Sequence, residues 1–171
     1  MNLARLTYCP ENYTAKIVEF DGGTGAKENI ESHGLRIEDE VQLKSRKNGR
    51  GKIVVLHNNN EIGLGHELAS KILMECIGNL KITLDHIKVG DLVEVTKMGA
   101  KGDVRFRLLD MGLVKGVEIK IIRVAPLGDP IEILINGFNL SLRIEEAKNI
   151  EVKVLEINRS RNNGKKRWGL F

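Results

Sequence analysis

The side chains best suited to chemistry in this chain are four histidines, His33, His57, His66 and His86, and two cysteines, Cys9 and Cys76. Imidazole, thiolate and carboxylate groups are the natural ligands of Fe²⁺ and Zn²⁺, and a site needs several of them converging on one point. His66 and Glu67 are the best local metal candidates, although adjacent residues on a helix face different ways. The cysteines form neither a C-x-x-C pair nor a disulfide-dense framework. No G-x-S-x-G, H-E-x-x-H or P-loop pattern is present, so binding is expected rather than enzymatic turnover.

These candidates can be checked against an internal repeat. Gly34-Leu35 and Gly112-Leu113 are separated by 78 positions (112 − 34 = 78). At that offset Leu6 falls on Leu84, Ile53 on Ile131, Leu64 on Leu142, Ala69 on Ala147 and Ile72 on Ile150. Apolar positions meeting apolar positions without a gap indicate one small unit built twice. The expected domains are residues 1–78, residues 79–157 and a basic tail, 158–171. His33 then aligns with Met111, His57 with Ile135 and His66 with Ile144, so no histidine site is duplicated. Cys9 aligns with Ile87 and Cys76 with Val154, which reads both thiols as small buried apolar side chains.

The formal charge is +4, a value that invites a nucleic-acid partner. Its distribution argues against one. Residues 1–78 carry 10 Lys and Arg against 11 Asp and Glu, and residues 79–157 carry 12 of each. The excess lies in the tail, at Arg159, Arg161, Lys165, Lys166 and Arg167. A nucleic-acid reader normally carries a basic face on its folded body. No apolar run is long enough to span a bilayer, and the start lacks the apolar core of a signal peptide, so a cytoplasmic chain is expected.

The elements that must position these groups are short. In the second unit Leu92–Val95 and Val117–Ile121 alternate as strands, and Ile131–Ile135 and Phe138–Leu142 flank the hairpin signal Asn136-Gly137. Asp103 is the expected N-cap of a helix ending at Gly112, with Val104, Leu108 and Met111 on its inner face. Ala125–Pro130 is a stiff loop containing two prolines, and Ile150–Ile157 closes the unit. The first unit repeats this order at 15–20, 26–33, 41–44, 53–56, 62–64 and 73–77, with the loop RKNGRGK in place of the proline loop. Five strands and one inserted helix per unit predict a small, strongly bent antiparallel barrel.

Three motifs of the second unit carry a family resemblance: R-L-L-D-M-G-L at Arg107–Leu113, A-P-L-G-D-P at Ala125–Pro130, and L-R-I-E-E-A at Leu142–Ala147. Together they resemble the ferrous iron transport protein A family, the FeoA-like domain. The first unit resembles it through Gly22–Gly25, Gly34-Leu35 and Ile62–Ile72, but lacks the A-P-L-G-D-P loop and has Glu38 where the second has Gly116. The resemblance implies a mainly β chain of two tandem SH3-like barrels with short inserted helices. It also implies an accessory of ferrous iron transport that docks on the cytoplasmic GTPase part of a membrane transporter, and it carries a transition-metal-binding label. The alternatives are a metal-binding regulatory domain, for Fe²⁺ or another divalent transition metal, and an adaptor outside iron transport.

Partner contact is expected at Arg107, Leu109 and Asp110, on the outer side of the helix, and at Leu127 and Asp129, on the stiff loop. For Leu109 the competing expectation is burial against the neighbouring unit. Trp168, the chain's one tryptophan, stands among the tail cations, a combination suited to an acidic groove or a weak peripheral membrane contact.

Overall fold

The computed structural model describes residues 2–46, 51–76 and 80–159. The first unit runs β1 (Asn2–Arg5), a 3₁₀ turn (Leu6–Tyr8), β2 (Thr14–Phe20), α1 (Gly23–Ser32), β3 (Glu40–Arg46), β4 (Ile53–His57), β5 (Asn60–Leu64), α2 (His66–Ala69) and β6 (Ile72–Cys76). The second repeats the order as β7 (Ile82–Thr83), a 3₁₀ turn (Leu84–His86), β8 (Leu92–Met98), α3 (Gly102–Asp110), β9 (Glu118–Val124), β10 (Ile131–Ile135), β11 (Phe138–Leu142), α4 (Ile144–Ala147) and β12 (Ile150–Glu156). Each sheet has six antiparallel strands, one more than the sequence suggested. The extra strand is the short leading one, too brief to show alternation.

The strand orders are β1-β6-β2-β3-β4-β5 and β7-β12-β8-β9-β10-β11, one topology used twice. The tandem, mainly β, SH3-like architecture is the expected one, but the ladders stop short of closing a barrel. β1 and β5 remain edges of the first sheet, as β7 and β11 do of the second. Register shifts in β2–β6, β3–β4, β9–β10 and β8–β12 bend the sheets and let them wrap a core without closure.

The repeat persists in the backbone. Gly34 and Gly112 both take positive φ, 84° and 86°, and the leucine after each is fully buried. At the end of α3 the Gly112 N–H donates to the Leu109 carbonyl at 2.9 Å and the Leu113 N–H to the Leu108 carbonyl at 3.0 Å. This is a Schellman cap, and its apolar contact is the buried pair Leu108 and Leu113. Two expectations for this helix are corrected. Asp103 lies in its first turn rather than at the cap, where its charge still suits the helix dipole. Val104 and Met111 stand at the two ends of this helix and are exposed, and Leu108 between them is its buried residue.

The two units are joined through a buried guanidinium. Arg5, at the end of β1, is fully buried and donates all five of its N–H groups. Two go to Asp91 of the second unit, from Nε to Oδ2 at 3.1 Å and from Nη2 to Oδ1 at 3.4 Å. The others reach Asp21 Oδ2 at 2.9 Å, the Ser70 carbonyl at 2.7 Å and the Asn158 carbonyl at 2.9 Å. Burial opposes the guanidinium charge, but the hydrogen bonds and charges around it, those of Asp91 above all, hold its pKa above the ordinary arginine value. Tyr8 donates to Asp91 and accepts from the Lys88 N–H at 2.8 Å. Burial, then the charge and hydrogen bond of Asp91, pushes its phenol well up, so it stays a donor. Ala4 and Tyr8 of the first unit pack into the second unit's core.

Two stability predictions follow from these contacts. Replacing Arg5 with Met leaves two buried carboxylates without their cation and should cost roughly 3–5 kcal/mol in urea unfolding. A loss under about 1 kcal/mol would refute the joint. Glu38 takes φ 78° where its counterpart Gly116 takes 89°, and its ion pair with Lys16 is exposed. Glu38→Gly should therefore raise the unfolding midpoint by the equivalent of about 1 kcal/mol, by relieving a left-handed backbone at little electrostatic cost.

Candidate docking face of the second unit

Two of the residues singled out, Arg107 on the helix and Asp129 on the proline loop, meet around α4. Loop 125–130 is closed by its own backbone: the Ala125 N–H donates to the Pro130 carbonyl at 3.0 Å and the Gly128 N–H to the Ala125 carbonyl at 2.7 Å. Gly128 supplies the positive φ of 90° that the tight turn needs. Asp129 fastens the loop to α4. Its Oδ1 accepts from the Ile144 N–H at 3.1 Å, and its Oδ2 lies 3.5 Å from Arg143 Nη1. Glu146 then ties α4 to α3: one carboxylate oxygen accepts from the Arg143 N–H at 2.9 Å, and the other forms an ion pair with Arg107.

Leu127 sits at the tip of this braced loop with 98% of its surface exposed. The backbone of such a closed loop has little freedom left to lose on binding, which favours a docking role for the apolar side chain it holds in water. The end of α3 abuts the β10–β11 hairpin, since a Cβ on Gly112 would stand 3.0 Å from Asn136 Nδ2. Phe106 on α3 and Phe138 at the start of β11 are 66% and 75% exposed, with Met111 and Val114 also at the surface beyond the helix. Among the expected site residues, Arg107, Leu127 and Asp129 are linked to α4 or its bracing loop, and Asp110 is exposed. Leu109 is half-buried, so it is not the outward anchor. Trp168 lies outside the described residues.

Sequence reasoning missed Phe106 and Phe138. Phe106 is flanked by Arg105 and Arg107, a pattern that marks a solvent face. Phe138 shares the parity of the inward Leu142 but stands at the hairpin tip, beyond the reach of the core.

The metal candidates lie elsewhere, on α2 of the first unit, where His66 is half-buried and Glu67 exposed. Among the described residues no three of His, Cys, Asp and Glu converge on one point. The other histidines each lie beside an oxygen of the chain. His33 Nδ1 lies 2.8 Å from the Asn29 carbonyl, His57 Nε2 lies 3.4 Å from Asp39, and His86 Nδ1 lies 3.2 Å from Asp85. No helix among the described residues is long and apolar enough to cross a membrane.

Comparison with known proteins matches the FeoA domain family at residues 4–76 and again at 82–154. A stretch of 75 residues is 37% identical to the Fe(2+) transport protein A/Fe(2+) transporter FeoB fusion protein of Porphyromonas gingivalis. That match covers 44% of this chain and 9% of the fusion protein, so the chain spans a small part of its relative's length. The solution structure of FeoA protein from Chlorobium tepidum is 42% identical, with a TM-score of 0.43, over 51% of this chain and 83% of that one. Iron(II) transport protein A from Clostridium thermocellum is 20% identical and covers 95% of this chain and 92% of its own, with a TM-score of 0.59. That last match extends the shared fold to both units together.

The bracing role of Asp129 is open to measurement. Asp129→Ala should cost roughly 1 kcal/mol, as loss of a helix N-terminal acceptor does. It should also speed hydrogen exchange at the Ile144 amide while leaving the amides of β1 to β6 unchanged. Unaltered exchange at Ile144 would show that the loop is held by other contacts.

Proposed function

The chain belongs to the FeoA domain family, whose members are accessories of ferrous iron transport, and from that premise we propose that it docks on a FeoB-type transporter through its second unit. The observation that carries this reading is Leu127, almost wholly exposed on a loop that Asp129 fastens to α4, which Glu146 and Arg107 tie in turn to α3. The P. gingivalis relative supports the choice of partner, because a fusion holds its two modules together at high effective concentration. The contact is proposed on the transporter's GTPase part, at the cytoplasmic side of the membrane. Leu127 and Phe106 are the anchors in this reading, and Asp129 and Arg107 position the loop and helix that carry them.

The role assigned is binding rather than catalysis, and it requires no resident cofactor. Iron enters as cargo of the transporter. The first unit lacks the proline loop, and Gly49 stands at the position equivalent to Leu127. The docking role therefore rests on the second unit, with the first attached to it through Arg5.

The test is an equilibrium binding measurement between the full chain and the cognate FeoB-type transporter in detergent, repeated with its isolated GTPase part. Leu127→Asp should weaken both interactions roughly tenfold or more, as loss of a buried apolar anchor does, with an unchanged melting curve. No binding of the native chain to the whole transporter would sink the proposal. Binding to the transporter but not to its GTPase part would overturn that assignment.

A further inference from the structure

β11 is the outer strand of the second sheet and is paired on one side alone, to β10. The turn between them fixes which of its backbone groups are spent. Asn136 and Gly137 take φ 50° and 83°, a two-residue turn flanked by the paired Ile135 and Phe138. The residues that flank such a turn exchange backbone hydrogen bonds, and bonded pairs then alternate along the ladder. Phe138, Leu140 and Leu142 therefore bond to β10. Asn139 and Ser141 direct their N–H and C=O groups to the open side, where both residues are exposed.

An open edge is normally blunted by charge, proline or a bulge, because a bare ladder pairs with any strand that reaches it. The first unit follows that rule. Its edge strand β5 carries Glu61 at the position equivalent to Asn139. At Gly63, the equivalent of Ser141, a Cβ would collide with the side chain of Lys52, so a cation lies against that edge. β11 reads F-N-L-S-L, without charge or proline, and its ladder to β10 runs without a bulge. Its surroundings change in the same direction. Phe138 stands where the first unit has Asn60, and Phe106, Met111 and Val114 stand where it has Glu28, His33 and Arg36. All four apolar side chains are exposed. The fold requires none of them, since the first unit builds the same helix and hairpin with polar residues there.

Resting on the docking role given to the second unit, we propose that the partner adds a strand to β11. The occupant is an extended, uncharged segment of the partner protein. Its backbone pairs with Asn139 and Ser141, each of which offers one donor and one acceptor. Its alternate apolar side chains pack against Phe138 and Leu140, which share one face of the sheet. A strand is the element that fits, because unpaired N–H and C=O groups at every second residue are matched by another backbone ladder. A helix has already spent its backbone groups within itself. A charged segment would lose hydration at this edge and gain no ion pair from it.

The test is residue-resolved hydrogen exchange on the full native chain, free and saturated with the cognate FeoB-type transporter in detergent. On binding, the amides of Asn139 and Ser141 should slow by about tenfold or more, while Leu140, already bonded to β10, changes little. Ser141→Pro removes an outward N–H and spares the ladder to β10, so it should keep the native melting curve and weaken binding roughly tenfold. Binding that leaves Asn139 and Ser141 exchanging as in the free chain overturns the added strand and leaves the docking role of Leu127 standing. So does a folded Ser141→Pro chain that binds as tightly as the native one. Protection of both amides in the free chain that rises with its concentration would give the edge to a second copy, and overturns the proposal too. A native chain that does not bind the transporter removes the docking role and the strand together. The exchange measurement on the native chain decides the matter whether or not the proline variant folds.

Discussion

One guanidinium sets the terms for the rest of the molecule. A buried charge is tolerated only when it is paired and fully hydrogen-bonded. Arginine has the most to satisfy, with five N–H groups fixed in one plane. At Arg5 each finds an acceptor, and those acceptors come from both units. Meeting that demand fixes several elements together. β1 must pair with β6, Asp21 must leave β2 at the right point, and the chain must turn at Gly90 to present Asp91. Gly90 takes φ 92° there, and a Cβ on it would stand 2.2 Å from the side-chain nitrogen of Asn158. Units of this size have thin cores, and the joint lets the first contribute Ala4 and Tyr8 to the core of the second.

The sequence showed what the two copies share and hid what they do not. The glycine-leucine pair, the asparagine-headed hairpin turns and the alternating strands occur in both copies, and each follows from local chemistry. Asn58 and Asn136 take φ 47° and 50° at equivalent turns, an agreement visible in the residue types alone. The joint is built from differences. Arg5 corresponds to Thr83, Tyr8 to His86, Asp21 to Gly99 and Asp91 to Tyr13. Aligning the copies treats such positions as drift, because it retains only what recurs.

The proposed docking face was legible in part for a related reason. A loop with two prolines and a glycine declares its stiffness, and an aspartate beside them declares an acceptor for nearby amides, so Leu127 and Asp129 stood out. The helix was harder. Spacing at i, i+4 and i+7 describes a face and says nothing of how much of that face meets a core. In α1 the equivalent positions Ala26 and Ile30 are buried and His33 is exposed, whereas in α3 only Leu108 is buried. Replacing Ala26 by the larger Val104 at the outer end of the helix puts apolar surface in water, which amphipathic periodicity alone cannot foresee. Phe106 and Phe138 add to the same exposed surface.

The inequality of the copies acquires a mechanical meaning once the joint is included. Two units on a loose linker would act as independent bodies, and a partner gripping one would leave the other undirected. Here Arg5 ties the first unit to Asp91, and Arg159, at the end of the second, reaches back to Glu19 on β2 at 3.0 Å. A partner that takes the proline loop therefore receives the first unit in a set orientation. The copy without the loop needs no docking motif to be useful, because its position follows from its neighbour's. Residues of the first unit are consequently free to change wherever the joint and the core do not hold them. Glu38 at a strained backbone position is a change of that kind.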